Sequence, residues 1–274
     1  MALFEIDTEL CARDGICAAA CPASLVREGE NGLPEARKGG EEHCIICGHC
    51  VAACPSGAMS HNLIADDDFL DIDENLQISE PALKQFFKSR RSIRAYRDRK
   101  LPRETIEKLL AVAAYAPSGH NLQPVEWSVV DGRDRVEAML GEVVIPWMRS
   151  EVEAKTELAK LLNLSGATRA YKKGKDVICR GAPHVVCAHV PSNAGITPFY
   201  DGIIALAHFE LAAHGLGLGA CWAGYLGFAA KAPGMKEFLD IPENREPAYF
   251  ILLGEPEFRY KMIPPRKKPR VSWV

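Results

Sequence analysis

The chain has 274 residues, 47% of them hydrophobic and 25% charged, enough to bury one large core or a large and a small one, and too apolar for a disordered or fibrous protein. Its 33 Lys and Arg against 36 Asp and Glu leave a formal charge of -3, which argues against nucleic acid as the main partner. The opening Met-Ala-Leu-Phe-Glu-Ile-Asp has no basic segment followed by an apolar one, so no secretory signal is expected and the cytoplasm is the expected compartment.

Seven of the 10 cysteines lie between residues 11 and 54. An odd count without a secretory signal disfavours a disulfide framework and favours a metal or cluster site. The segment Cys44-Ile-Ile-Cys47-Gly-His-Cys50-Val-Ala-Ala-Cys54-Pro55 is similar to the bacterial ferredoxin run C-x2-C-x2-C-x3-C-P, whereas zinc sites build one tetrahedron from two separated pairs. Upstream, Cys11-Ala-Arg-Asp14-Gly-Ile-Cys17-Ala-Ala-Ala-Cys21-Pro22 follows the same template with Asp14 in place of the second cysteine. The chain thus resembles a two-cluster ferredoxin with one substituted ligand. In such proteins the fourth cysteine of each run serves the other cluster. The resemblance therefore implies one 4Fe-4S cluster on Cys21, Cys44, Cys47 and Cys50, and a second on Cys11, Cys17 and Cys54 with Asp14 as the further candidate. A carboxylate is a harder ligand than a thiolate, so the second cluster is expected as Asp-ligated 4Fe-4S or as 3Fe-4S. The alternative is that Asp14 caps a turn and no cluster assembles there.

After Pro55 the chain turns acidic, with Asp66, Asp67, Asp68, Asp71, Asp73 and Glu74 close together, the pattern of a solvated linker. The expected organisation is an iron-sulfur domain at 1–65, a linker at 66–80 and a larger domain at 81–274. Ile106, Leu109, Leu110 and Ala113 recur at helical spacing and Pro117 ends the pattern, predicting a helix over 103–115. A strand is expected from Val125 to Val130, helices over 133–140 and about 150–163, and buried strands over 183–190 and 247–253. Thr197-Pro198 opens a helix running to His214 and stopped by Gly215. Residues 203–230 are apolar enough to raise a membrane span, but five glycines and Glu210 favour a core helix followed by a glycine-rich turn. Cys187 sits in an apolar run that reads as a buried strand, and Cys179 and Cys221 lack a sequence-adjacent base, so all three are expected as structural thiols. This order of elements predicts an α+β fold.

Arg90-Arg91-Ser92-Ile93-Arg94 groups three guanidinium groups and a hydroxyl, a chemistry suited to a phosphate. Ala116-Pro117-Ser118-Gly119-His120-Asn121-Leu122-Gln123-Pro124 follows, then the glycine-rich 215–224 and the C-terminal Gly254-Glu255-Pro256 with Tyr260 and Arg266. In this order the segments resemble the nitroreductase family of FMN enzymes, over essentially all of 81–274, and the N-terminal addition resembles its ferredoxin-nitroreductase subgroup. The resemblance implies a mixed sheet flanked by helices and a homodimer. It implies FMN held by Arg90, Arg91, Ser92, Arg94, Pro117, Ser118, Asn121, Gln123, Ala223, Gly224, Arg266 and Lys267. Of these, Asn121 would meet the ring system, Gly224 and its neighbours would offer backbone N–H groups to flavin N5, and Arg266, then Lys267, would reach the phosphate.

The expected activity is an FMN oxidoreductase that passes electrons between iron-sulfur clusters or NAD(P)H and a small acceptor such as a nitroaromatic or quinone, with no catalytic side-chain nucleophile. Two rivals stand beside it: an electron-transfer or redox-sensing module, and a reductase of one specific metabolite fed by reduced ferredoxin. Neither nucleic acid nor membrane is an expected partner. Residues 141–175, with Trp147 and Arg149, are the expected source of a specificity loop.

Overall fold

The computed structural model describes residues 2–193, 195 and 197–274. Its chain falls into two units, Met1–Gln77 with His120–Leu122, and Ile78–Gly119 with Gln123–Val274.

The smaller unit contains, in order, β1 (Phe4–Ile6), α1 (Ile16–Ala20), β2 (Val26–Glu28), β3 (Pro34–Ala36), α2 (His49–Ala52) and β4 (Met59–His61). β1 pairs antiparallel with β4, and β2 with β3. The two cysteine runs fold alike. Gly15 (φ 69°) and Gly48 (φ 67°) precede α1 and α2 in the left-handed region, and two residues before each, Arg13 (φ 54°) and Ile46 (φ 50°) adopt it too. A glycine bears this conformation at no steric cost, and alternation of hand turns successive backbone N–H groups towards one concavity. Asp14 therefore stands on the backbone position that Cys47 holds in the second run. Leu3, Phe4, Leu25, Val26 and Met59 make the small core.

The larger unit runs through α3 (Glu80–Ser89), α4 (Arg103–Ala113), β5 (Glu126–Asp131), α5 (Arg133–Met139), α6 (Ile145–Glu153), α7 (Glu157–Leu161), α8 (Leu164–Lys172), β6 (His184–Pro191), α9 (Thr197–Gly215), β7 (Gly219–Trp222), α10 (Gly224–Phe228), α11 (Met235–Phe238) and β8 (Arg245–Gly254). The strand order is β5-β6-β8-β7. Along β6 and β8 the side chains alternate between two cores. Val185, Cys187, Phe250 and Leu252 join Met139, Met148, Leu164 and Leu226 on one face, while Val186, Ala188, Ile251 and Leu253 join Leu109, Leu206 and Phe209 on the other. Both faces are covered, so β6 is buried continuously from His184 to Val190 rather than at alternate residues. α9 lies on the second face, and at Gly202 a Cβ would stand 2.6 Å from Ala248 Cβ, so glycine sets how closely helix and sheet approach.

The α+β class is as expected, but the hydrogen-bonded neighbours among the described residues are all antiparallel rather than mixed. β6 and β7 point the same way across the α9 crossover, and β8 lies between them, so the parallel strands do not pair. The segment 141–175 is not a loop. It forms α6, α7 and α8 after a π-helical turn over Leu140–Val144, and buries Ile145, Met148, Leu164 and Ala167. The helix expected at 150–163 is broken at Lys155 (φ 54°). Among the described residues no helix is long and apolar enough to cross a membrane.

Candidate functional site

The cysteines of the two runs line two separate cavities of the smaller unit. Cys21, Cys44, Cys47 and Cys50 line one, together with His61. Cys11, Asp14, Cys17 and Cys54 line the other. Among the described residues no three His, Cys, Asp or Glu side chains are grouped to hold a single metal ion, and donors spread around a cavity suit a multi-iron cluster better than one tetrahedral ion. The sulfurs already receive hydrogen bonds. Leu25 N–H donates to Cys21 Sγ at 3.3 Å, and Cys44 Sγ lies 3.5 Å from His61 Nε2. Burial pushes the Cys17 and Cys50 thiols up. Burial acts in the same sense on Cys54, but hydrogen bonds from the Ser56 hydroxyl and from the amides of Ala58, Ser56 and Met59 hold that thiol below its usual range. Asp14 Oδ1 accepts from Ile16 N–H at 3.0 Å, at the start of α1.

In the larger unit, Arg90 and Arg91 line a cavity with Ser89, Glu210, His214 and Arg259. Arg90 is paired with an acid inside the protein. Its guanidinium donates to Glu210 Oε1 at 2.8 Å, and Glu210 Oε2 accepts from Trp222 Nε1 at 3.0 Å. The pair ties the segment after α3 to α9 and β7, and neutralises the first arginine. Arg91 keeps a buried Nε with no partner among the described residues. Arg94 lies against the Cys221 thiol, which burial pushes up and the Arg94 and Arg180 guanidinium groups partly draw back. Burial also raises the Cys179 and Cys187 thiols, so these three cysteines are protonated and poor nucleophiles.

The segment after α4 is strained. His120, Asn121 and Gln123 have φ of 51°, 54° and 46°, a region costly for residues with a Cβ and typical of functional loops. Ser118 Oγ accepts from Gln123 N–H at 2.9 Å, Gly119 N–H donates to Asp201 Oδ1 at 3.1 Å, and Arg245 Nη2 holds the carbonyl of Pro124. Asn121 belongs with the smaller unit, where Nδ2 donates to the carbonyls of Ile45 (3.2 Å) and Ile46 (2.9 Å) in the second cysteine run. Ala223 N–H is taken up by the Phe250 carbonyl at 3.0 Å. It is therefore not free for a ligand, whereas Gly224 opens α10, where first-turn amides have no acceptor within the helix. Arg266 and Lys267 lie in an exposed tail without regular secondary structure and do not line the Arg90 cavity.

With this geometry in view, residues 87–255 match the model of the Nitroreductase family. The chain belongs to that family. Residues 3–55 of this nitroreductase-family protein match a 4Fe-4S dicluster domain. A "Putative NADH dehydrogenase/NAD(P)H nitroreductase" of Methanothermobacter thermautotrophicus is 30% identical over 183 residues, 66% of this chain and 80% of the relative. One component of the Na(+)-translocating ferredoxin:NAD(+) oxidoreductase complex of Acetobacterium woodii is 44% identical over 50 residues, 18% of this chain and 14% of that protein. A Bacteroides fragilis nitroreductase solved with bound FMN shares the fold with a TM-score of 0.60 at 22% identity, over 72% of this chain and 100% of that one.

Sequence reasoning assigned no role to Glu210, His214, Trp222 or His61. Glu210 carried a signal, since an acid amid an apolar helix needs a buried cation or donor as partner. The histidines carried none, because their partners are fixed only by the fold.

Proposed function

We propose that this nitroreductase-family oxidoreductase is an FMN-dependent reductase whose smaller unit carries two iron-sulfur clusters, and that it passes electrons from NAD(P)H or reduced ferredoxin to a nitroaromatic, quinone or similar small acceptor. The observation that carries the reading is the partition of the cysteines into two cavities, each with a near-complete cluster donor set, in a chain with the nitroreductase sheet. FMN, when bound, supplies the junction between one-electron carriers and two-electron acceptors.

The residues of the larger unit fit that group. Arg91 has an unpartnered buried Nε, and Ser92 and Arg94 follow it, so these three would take the phosphate and pyrimidine side through charge-assisted bonds. Arg90 would act mainly by holding Glu210, and Gly224 would offer the backbone N–H. A Cβ built on Gly224 meets nothing within 4 Å, leaving room for a flat ring to approach. Cys21, Cys44, Cys47 and Cys50 would hold one cluster, and Cys11, Cys17 and Cys54 with Asp14 the other. Phe199, Tyr200 and Ile204 leave apolar surface exposed on α9, which supports a homodimer.

The test is an anaerobic titration with NADH and then NADPH, following flavin and iron-sulfur absorbance separately. Prompt bleaching of flavin supports hydride entry from nicotinamide. Flavin that stays oxidised until reduced ferredoxin is added assigns the donor to ferredoxin. Absence of flavin from the freshly purified protein overturns the reading.

A further inference from the structure

His61 ends β4, is 4% exposed and faces the cavity of Cys21, Cys44, Cys47 and Cys50. Both ring nitrogens are engaged. Nδ1 receives the backbone N–H of Leu63 at 3.1 Å, and Nε2 lies 3.5 Å from Cys44 Sγ. A backbone amide can only donate, so Nδ1 must be the acceptor and the proton of the neutral ring sits on Nε2. Nε2–H therefore points at the sulfur as a donor. The ring cannot turn away without leaving the Leu63 amide unpaired, and the backbone is held by the pairing of His61 with Phe4. Fixed geometry of this kind is how residues around a metal centre tune it.

We propose that His61 is a potential-setting residue for the cluster bound through Cys44, raising its reduction potential through an Nε2–H···Sγ hydrogen bond. The proposal rests on the reading of Cys44 as a cluster ligand. One-electron reduction adds negative charge to the cluster and its thiolates. A donor aimed at one sulfur stabilises the reduced form more than the oxidised form, and hydrogen bonds to sulfur are among the determinants of cluster potential. The donor is also local. It addresses Cys44 and not the cavity of Cys11, Cys17 and Cys54, so it acts on one cluster and leaves the other alone.

The experiment is a dithionite redox titration of the full-length holoprotein, monitored by low-temperature paramagnetic resonance, with iron counted in each sample. His61→Phe removes the donor at similar volume, and His61→Gln restores an N–H near the place of Nε2. The expected result is that His61→Phe lowers the equilibrium constant for reducing one cluster about tenfold, which is 59 mV for one electron. The other cluster should stay unmoved, and His61→Gln should recover most of the change. Unchanged potentials at full iron content, or a glutamine variant that behaves as the phenylalanine one, overturn the proposal. If His61→Phe loses iron, the unsubstituted protein labelled with 15N-histidine decides. A 15N coupling to the reduced cluster that vanishes in His61→Gln supports the hydrogen bond, and its absence, or its persistence in that variant, overturns it. Absence of any cluster with four irons in the unsubstituted protein would instead remove the ligand reading itself.

Discussion

At Asp14 the side chain changes while the backbone keeps the conformation found at Cys47, since Arg13 and Gly15 repeat the φ signs of Ile46 and Gly48. A carboxylate on that frame holds iron less firmly than a thiolate. Oxidation with ferricyanide should therefore convert one cluster of the unsubstituted protein to 3Fe-4S, while Asp14→Cys should retain about eight irons per chain, as two cubanes require. Equal iron loss from the two proteins would refute this. Glu210 gives a second test at the residue scale. Its carboxylate takes hydrogen bonds from Arg90 and Trp222 on separate oxygens, with the two charged side chains only 24% and 11% exposed. Glu210→Ala leaves a largely buried guanidinium unpaired and should lower unfolding stability by about 2–3 kcal/mol. Glu210→Gln should cost less, because it keeps an acceptor for the indole. Equal denaturation midpoints for the two variants would assign the loss to the missing carboxylate charge facing Arg90 and none of it to the indole bond.

α9 shows how an element can be legible in sequence while its placement is not. Its bounds follow from Thr197-Pro198 and Gly215, but its apolar residues run almost all round, so no stripe announces which side meets the sheet. Gly202 settles that contact, and its φ is unremarkable; the need is closeness to Ala248 and Val190. Gly202→Val should force α9 off β6 and β8 and cost roughly 1–3 kcal/mol, read as a lower denaturant midpoint with unchanged iron content. A midpoint unchanged from the parent would mean that the sheet yields instead. The 4Fe-4S dicluster domain, by contrast, was legible because the spacing of its cysteine runs is local. The antiparallel order was not, because β8 enters between β6 and β7 from far along the chain. β7 was missed for another reason: Gly-Ala-Cys-Trp has no β-branched residue and stands beside glycines, so it reads as a turn until β8 pairs with it. The partners of Arg90 and Asn121 lie 120 and about 75 residues away, beyond any spacing rule.

Across the whole molecule, burial pushes His61, His184, His189 and His214 below the ordinary histidine value. Two of them, at the centre of the larger unit, need neutral rings for their bonds. His184 Nε2 accepts from Leu101 N–H at 2.9 Å, and His189 Nδ1 accepts from Arg245 Nε–H at 2.9 Å. In the unfolded chain each ring takes a proton near pH 6.5, whereas in the folded chain it stays neutral to lower pH. Between those limits the unfolded state binds more protons, so stability is fully present above about pH 6.5 and is lost as the pH falls through the depressed folded values. With about 1.4 kcal/mol per pH unit for each group, His184 and His189 together set a slope of at most about 2.7 kcal/mol per pH unit. All four tryptophans lie in the larger unit, so denaturant unfolding followed by their fluorescence at pH 7.5, 6.5 and 5.5 isolates this effect from the cluster unit. The expected curve is flat from pH 7.5 to 6.5 and falls below it, with a shallower fall in His189→Gln, whose amide oxygen can accept from Arg245 without titrating. A fall of equal steepness in that variant would move the acid sensitivity away from His189 and onto the carboxylates.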